Sequence, residues 1–209
     1  MINEYYSILE NCEHELTEKK SRFIANLIHV ETESEAKEKI IEISKKHFNS
    51  KHNVFAYRIL VDGNIIDKYS DNGEPSGTAG KPILDMMKQK ELCNVLIVVT
   101  RYFGGILLGT GGLVRAYTGS AKLCIDNSKV ELLEKKTVLQ INISYDELGL
   151  VKQFCKKNNF IVENIEYLEN VVVSILVNKG ENEIFKDEIE KILNRNVDIS
   201  ILQDKFVIK

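Results

Sequence analysis

Residues 94–117 read NVLIVVTRYFGGILLGTGGLVRAY. The apolar run from Asn94 to Thr100 has no polar alternation and is short, the pattern of a central strand buried on both faces. It delivers Arg101, Tyr102 and Phe103 to its end, where Gly104 and Gly105 break the strand. A second glycine cluster, Gly109, Gly111 and Gly112, precedes a helix expected from about Leu113 to Asn127. A strand, a glycine loop and a helix in this order present backbone N–H groups to an anion.

Working outward, nine of the twelve glycines fall between Gly73 and Gly119, and both prolines, Pro75 and Pro82, lie in the same region. Loops of demanding backbone geometry are therefore concentrated there. Upstream, SRFIANLIHVE at 21–31 reads as a strand, and residues 33–48 carry Ala36, Ile40, Ile41 and Ile43 near helical spacing on a charged background. Residues 53–62 alternate as a strand, a turn is expected at Gly63-Asn64, and residues 65–69 return as the second arm of a hairpin. After the 70–79 loop, residues 81–90 read as a helix with Pro82 in its first turn.

Downstream the texture changes. Residues 137–145 read as a strand, 146–158 as a helix, 160–168 and 171–178 as a hairpin, 180–193 as a helix and 197–207 as a strand. That βαββαβ order is the ferredoxin-like pattern, with helices expected on one face of a four-stranded sheet. The charge run Glu134-Lys135-Lys136 marks the boundary, giving domains 1–135 and 136–209. The fold class is α+β.

Composition bounds the function. Lys and Arg number 28 against 31 Asp and Glu, a formal charge of −3, without the basic excess of a dedicated nucleic-acid binder. The acidic excess falls in the second domain, so any nucleic-acid site is a local patch, and one on the second domain would need a basic strip on its sheet. Cys12, Cys93, Cys124 and Cys155 form no CxxC pair and have no histidine at ligand spacing, so they read as reduced, packed thiols, with no metal and no cofactor implied. The first ten residues lack a basic region followed by an apolar run, and no window reaches the apolar length of a membrane span, which makes the cytoplasm the expected location.

The residues able to carry chemistry lie in two segments. In YSDNGEPSGTAGKPI at 69–83, Asp71, Glu74, Ser76 and Thr78 sit among glycines; Asx turns and helix caps use the same residue types. In 94–117, Arg101 and Arg115 frame the glycine loops, and Tyr102 and Tyr117 are placed to stack or to hydrogen-bond. Two readings stand side by side: a phosphate site, or Arg101 held in an internal salt bridge with Asp71 or Glu74. His52 reads as a packed or capping histidine rather than a general base, because no GxSxG or HExxH pattern accompanies it, and no GxxxxGK[ST] supports nucleotide hydrolysis.

SRFIA at 21–25, the HN and AYR pieces within 52–58, DNGEPSGTAGKPIL at 71–84 and the whole of 94–117 closely resemble the signature of the YigZ/IMPACT family. The resemblance implies a first domain similar to the second domain of a small-subunit ribosomal protein, the S5 domain 2-like fold. It implies a ferredoxin-like second domain similar to one in elongation factor G. It also implies a translation-linked binding or regulatory role, since eukaryotic relatives restrain a stress-responsive translation kinase through its activator. Candidate site residues carried by it are His52, Asn53, Arg58, Asp71, Glu74, Ser76, Thr78, Arg101, Tyr102, Gly104, Gly105, Gly109, Gly111, Arg115 and Tyr117; the reading of the helix start adds Gly112. Three positions depart from the family pattern: Asn72 replaces a frequent Asp, Leu107 a usual Lys, and Val54 a frequent Cys.

The expected arrangement has Arg101, Arg115 and the amides of Gly111 and Gly112 holding phosphate, Tyr102 stacking or orienting, and Asp71 with Glu74 positioning the arginines. The expected partner is RNA, the ribosome or another phosphate-bearing ligand. An enzyme using Glu74 and His52 on a small molecule, and a protein-interaction regulator, are the alternative classes; no catalytic residue is assigned.

Overall fold

The computed structural model describes residues 2–209, which divide into two compact units, the first ending at Leu133 and the second running Glu134–Lys209. The architecture is mixed α+β. The first unit holds β1 (Glu4–Ile8), β2 (Cys12–Glu18), β3 (Ser21–His29), α1 (Glu33–Lys46), β4 (His52–Val61), β5 (Asn64–Ser70), α2 (Gly80–Gln89), β6 (Val95–Tyr102) and α3 (Gly109–Asp126). Its sheet runs in the order β2-β3-β6-β4-β5.

The unbroken apolar run at 94–100 becomes the central strand β6, antiparallel to both β3 and β4 and buried from Val95 to Arg101. Its two faces feed two cores. On one, Phe23, Val54, Ile97 and Val99 meet Ile83 and Met87 of α2 and Leu113, Ala116 and Tyr117 of α3. On the other, Leu96, Val98, Tyr57 and Ile59 meet Ala36 and Ile43 of α1. A strand that must satisfy apolar packing on both sides reads as a continuous hydrophobic run, which is why its position was legible.

Four points differ from or add to the sequence reading. The hairpin turn is Asp62-Gly63, one residue earlier than expected, since Val61 faces Asn64 and both turn residues take positive φ (49° and 80°), the geometry of a tight two-residue turn. The helix α3 begins at Gly109, so Gly109, Gly111 and Gly112 belong to its first turn and not to the preceding loop. β1 and β2 had no sequence signal, because β2 (CEHELTE) carries charges on its outward positions and only Cys12, His14 and Leu16 inward. The charge run at 134–136 lies within one long strand, β7 (Val130–Ile143), where Lys135 pairs with Asp204 and Lys136 with Glu134.

β7 begins in the first unit, and β1 is hydrogen-bonded to it. In the second unit it is followed by α4 (Leu148–Lys157), β8 (Ile161–Tyr167), β9 (Val171–Asn178), α5 (Asn182–Leu193) and β10 (Ile199–Ile208). The expected βαββαβ order is present. β7 lies between β10 and β9, with β8 beyond β9. Alternate residues of β9, from Val171 to Val177, pack with Val151 and Phe154 of α4 and Phe185 and Ile189 of α5, so both helices cover one face. Among the described residues no helix is long and apolar enough to cross a membrane.

Candidate functional site

The 70–80 loop is built around one carboxylate. Asp71 accepts hydrogen bonds from the backbone N–H groups of Gly77 (2.8 Å), Ala79 (3.0 Å) and Gly80 (2.8 Å). It thereby places a negative charge at the start of α2, whose N-cap residue Ala79 has no side-chain acceptor of its own. Thr78 is buried and donates to the Pro75 carbonyl, while Ser76 is exposed. Gly80 is required for space: a Cβ there would lie 2.7 Å from the Ser70 carbonyl oxygen.

The loop brings Glu74 to the end of β6. Arg101 Nη1 donates to Glu74 Oε1 at 2.7 Å and Tyr117 Oη to the same oxygen at 2.8 Å. Both charged side chains are nearly closed off, 7% exposed for Arg101 and 4% for Glu74. The guanidinium lies 5.5 Å from the ring centroids of both Phe23 and Phe103. Burial, then the nearby Glu74 charge, push the Tyr117 hydroxyl well above its ordinary range.

His52 borders this cluster. Its Nδ1 is 2.8 Å from the Asn72 carbonyl, an acceptor only, so Nδ1 carries the proton; Nε2 is 3.9 Å from Glu74 Oε1. Asn53 ties the strand to the loop, its N–H donating to Asn72 Oδ1 and its side chain accepting from Thr100. Asn72 holds φ 45°.

Of the expected arrangement, the structure brings together His52, Asn53, Asp71, Glu74, Thr78, Arg101 and Tyr117. The internal salt bridge is the one realised for Arg101, with Glu74. Asp71 serves loop amides and not an arginine. Arg58 stands apart: it faces Val95 across the sheet while His52 faces Arg101, so about 20 Å of strand separates it from the cluster. It pairs with Asp67 at 3.0 Å and donates to the Leu92 carbonyl. Tyr102 points to the α1 side, its hydroxyl 2.9 Å from His47 Nδ1 and donating to Asn49. The His47 pKa is lowered, first by burial and then by Lys46.

The solvent face of the glycine loops is different in character. The β2–β3 hairpin closes with Lys19 and Lys20, both at positive φ (45° and 66°), a conformation that costs non-glycine residues about 1 kcal/mol or more. Gly104 fits against this turn so closely that a Cβ would lie 2.0 Å from the Lys20 carbonyl carbon, and its N–H donates to Ser21 Oγ. Gly105 and Gly109 hold φ 83° and 70°. Arg115 is exposed and turns back along α3, Nη1 lying 3.7 Å from where a Gly111 Cβ would sit. No side chain caps α3, leaving the amides of Gly109, Thr110 and Gly111 in its first turn open. Glu18, Lys19, Leu108, Gly112 and Arg115 line a cavity of about 170 Å³ here. Two exposed cations, Lys19 and Arg115, thus share this cavity with one carboxylate, Glu18, and Lys20 is exposed beside Lys19 in the turn. Lys19 and Lys20 carried no sequence signal as site residues. Among the described residues no group of three or more His, Cys, Asp or Glu side chains is placed to hold a metal ion.

Residues 19–125, which contain this loop system from the Lys19 turn to α3, match the Impact N-terminal domain, and residues 141–194 match a domain of unknown function, DUF1949. The chain belongs to the IMPACT family. Its relatives include the IMPACT family member YvyE of Bacillus subtilis (strain 168), 38% identical over 199 residues, covering 95% of this chain and 91% of that one. The IMPACT family member YigZ of Escherichia coli (strain K12) is 32% identical over 161 residues, covering 75% and 78%. A solved crystal structure of a hypothetical protein aligns over 97% of this chain and 99% of its own, with 25% identity and a TM-score of 0.65. For this IMPACT family chain the loops that carry the resemblance are therefore also the ones that build the Glu74 cluster and the Lys19–Arg115 surface.

Proposed function

We propose that the chain is a translation-linked binding protein whose first unit contacts a phosphate-bearing polyanion, RNA or the ribosome, through the solvent face of its glycine loops. The observation that supports this reading is the cavity that Lys19 and Arg115 line together with Gly112 at the uncapped start of α3, with Lys20 exposed in the same turn as Lys19. Cations and free helix amides favour phosphate together. Arg101, spent on Glu74, holds the loops in place and does not reach the ligand. With a formal charge of −3, binding depends on this local patch. The link to translation comes from the family resemblance. Fluorescence anisotropy with labelled RNA tests the reading: three cations on a single strand predict a slope of log affinity against log salt near −2, about 16-fold between about 50 and about 200 mM. A Lys19→Ala/Lys20→Ala/Arg115→Ala variant that melts like wild type is expected to lose that binding; unchanged binding would sink the assignment.

One observation favours a second reading, a hydrolase-like enzyme. The proton on His52 Nδ1 is held by the Asn72 carbonyl, leaving Nε2 as a base beside Glu74. Turnover of phosphomonoester or dipeptide substrates by wild type and not by a folded His52→Gln variant would favour it over binding alone.

A further inference from the structure

We infer that the RNA taken by this surface is single-stranded and that one of its bases stacks on Phe103, an inference that rests on the polyanion reading above. In the β3–β6 register Arg22 faces Tyr102, so Phe103 comes level with the end of β3 and Gly104 lies under the Lys20 backbone. The Phe103 backbone therefore stands beside the two-lysine turn. Phe103 is 50% exposed, and its neighbours on the loop, Ile106 and Leu107, are 41% and 83% exposed. The ring is nevertheless backed from within: the Arg101 guanidinium sits 5.5 Å from its centroid and is itself pinned by Glu74 at 2.7 Å and by the Phe23 ring. A half-exposed aromatic with a fixed cation behind it and exposed cations beside it offers a base a flat apolar face and the adjoining phosphates their counter-charges.

A duplex would not use this surface well. Its bases are stacked inside and its outer face is phosphate and ribose, so Phe103 and Leu107 would be covered by charged groups with nothing gained from the ring. An acidic protein segment would satisfy the lysines and gain only apolar contact from Phe103. Splayed bases on a short single strand satisfy both parts at once.

The chain contains no tryptophan, so a Phe103→Trp variant carries a single indole at the inferred stacking position. Oligouridylate of about ten nucleotides is expected to quench it on binding and to bind at least about tenfold more tightly than an RNA duplex of equal length. Phe103→Leu, which keeps apolar bulk, is expected to weaken oligouridylate about tenfold and leave the duplex unchanged. Salt-sensitive oligouridylate binding without quenching, or duplex binding of equal strength, overturns the stacking inference while the polyanion reading stands. Polyglutamate binding as tightly as oligouridylate also overturns it, in favour of an acidic protein partner. Absence of binding to either RNA at low salt removes the inference and the reading beneath it together.

Discussion

Replacing Glu74 by Ala removes the carboxylate that the Arg101 guanidinium donates to. Arg101 Nε is already buried without a partner, and the group is flanked by Phe23 and Phe103. What remains is a charge, 7% exposed, with its counter-ion gone. Removing one member of a buried pair costs about 3–5 kcal/mol, and the Tyr117 hydroxyl, which loses the same acceptor, adds about 1 kcal/mol. Against a typical stability of about 5–15 kcal/mol, a loss of about 4–6 kcal/mol leaves the first unit marginal. Native-state hydrogen exchange of the β6 amides reports that unit alone, and about a thousandfold or greater acceleration is expected. Glu74→Gln keeps an acceptor for Tyr117 and is expected to cost less. A Glu74→Leu/Arg101→Met double variant removes both charges and is expected to fall within about 1–2 kcal/mol of wild type. A Glu74→Ala protein within about 1 kcal/mol of wild type would refute the reasoning, because the pair would then behave as a hydrated surface ion pair.

Gly104→Ala forces a methyl group to within 2.0 Å of the Lys20 backbone, so the hairpin turn must move; a stability loss of about 3 kcal/mol or more in urea unfolding is expected, with weaker RNA binding in anisotropy. Asp71→Ala strands three loop amides and is expected to raise exchange at Gly77, Ala79 and Gly80 well before it affects β6. Burial raises Tyr5 to about 12 and moves Tyr117 higher still. Their contribution is complete below the unfolded value of about 10 and is lost as pH rises through the folded values, so stability is expected to fall above about pH 10 and to fall less steeply in Tyr117→Phe. In the second unit, hydrogen bonding from Arg195 lowers Glu147 from its ordinary 4.5 to about 2. That contribution is present above the ordinary value and lost as pH falls toward 2; Arg195→Ala is expected to shorten the acid limb, read by circular dichroism.

Local pattern made most elements legible. The uninterrupted apolar run of β6, the 3.6-residue spacing of Ala36, Ile40 and Ile43 in α1 and the alternation of β4 each report burial that the element imposes on its own residues. The glycines between Gly73 and Gly119 likewise marked where the loops would be, since a position such as Gly104 admits no Cβ. β2 was not legible because this edge strand half-buries only Cys12, His14 and Leu16 between exposed residues, and the start of β7 was not because its Lys135 is neutralised by Asp204, far along the chain. The fate of each site residue was decided by tertiary structure. Arg58, Arg101 and Arg115 look alike in sequence; strand register sends the first to Asp67, loop closure across 27 residues gives the second to Glu74, and only the third stays exposed, next to a lysine turn nearly a hundred residues earlier. Which charge is spent inside a fold and which faces water depends on partners remote in the chain, and periodicity carries no information about them.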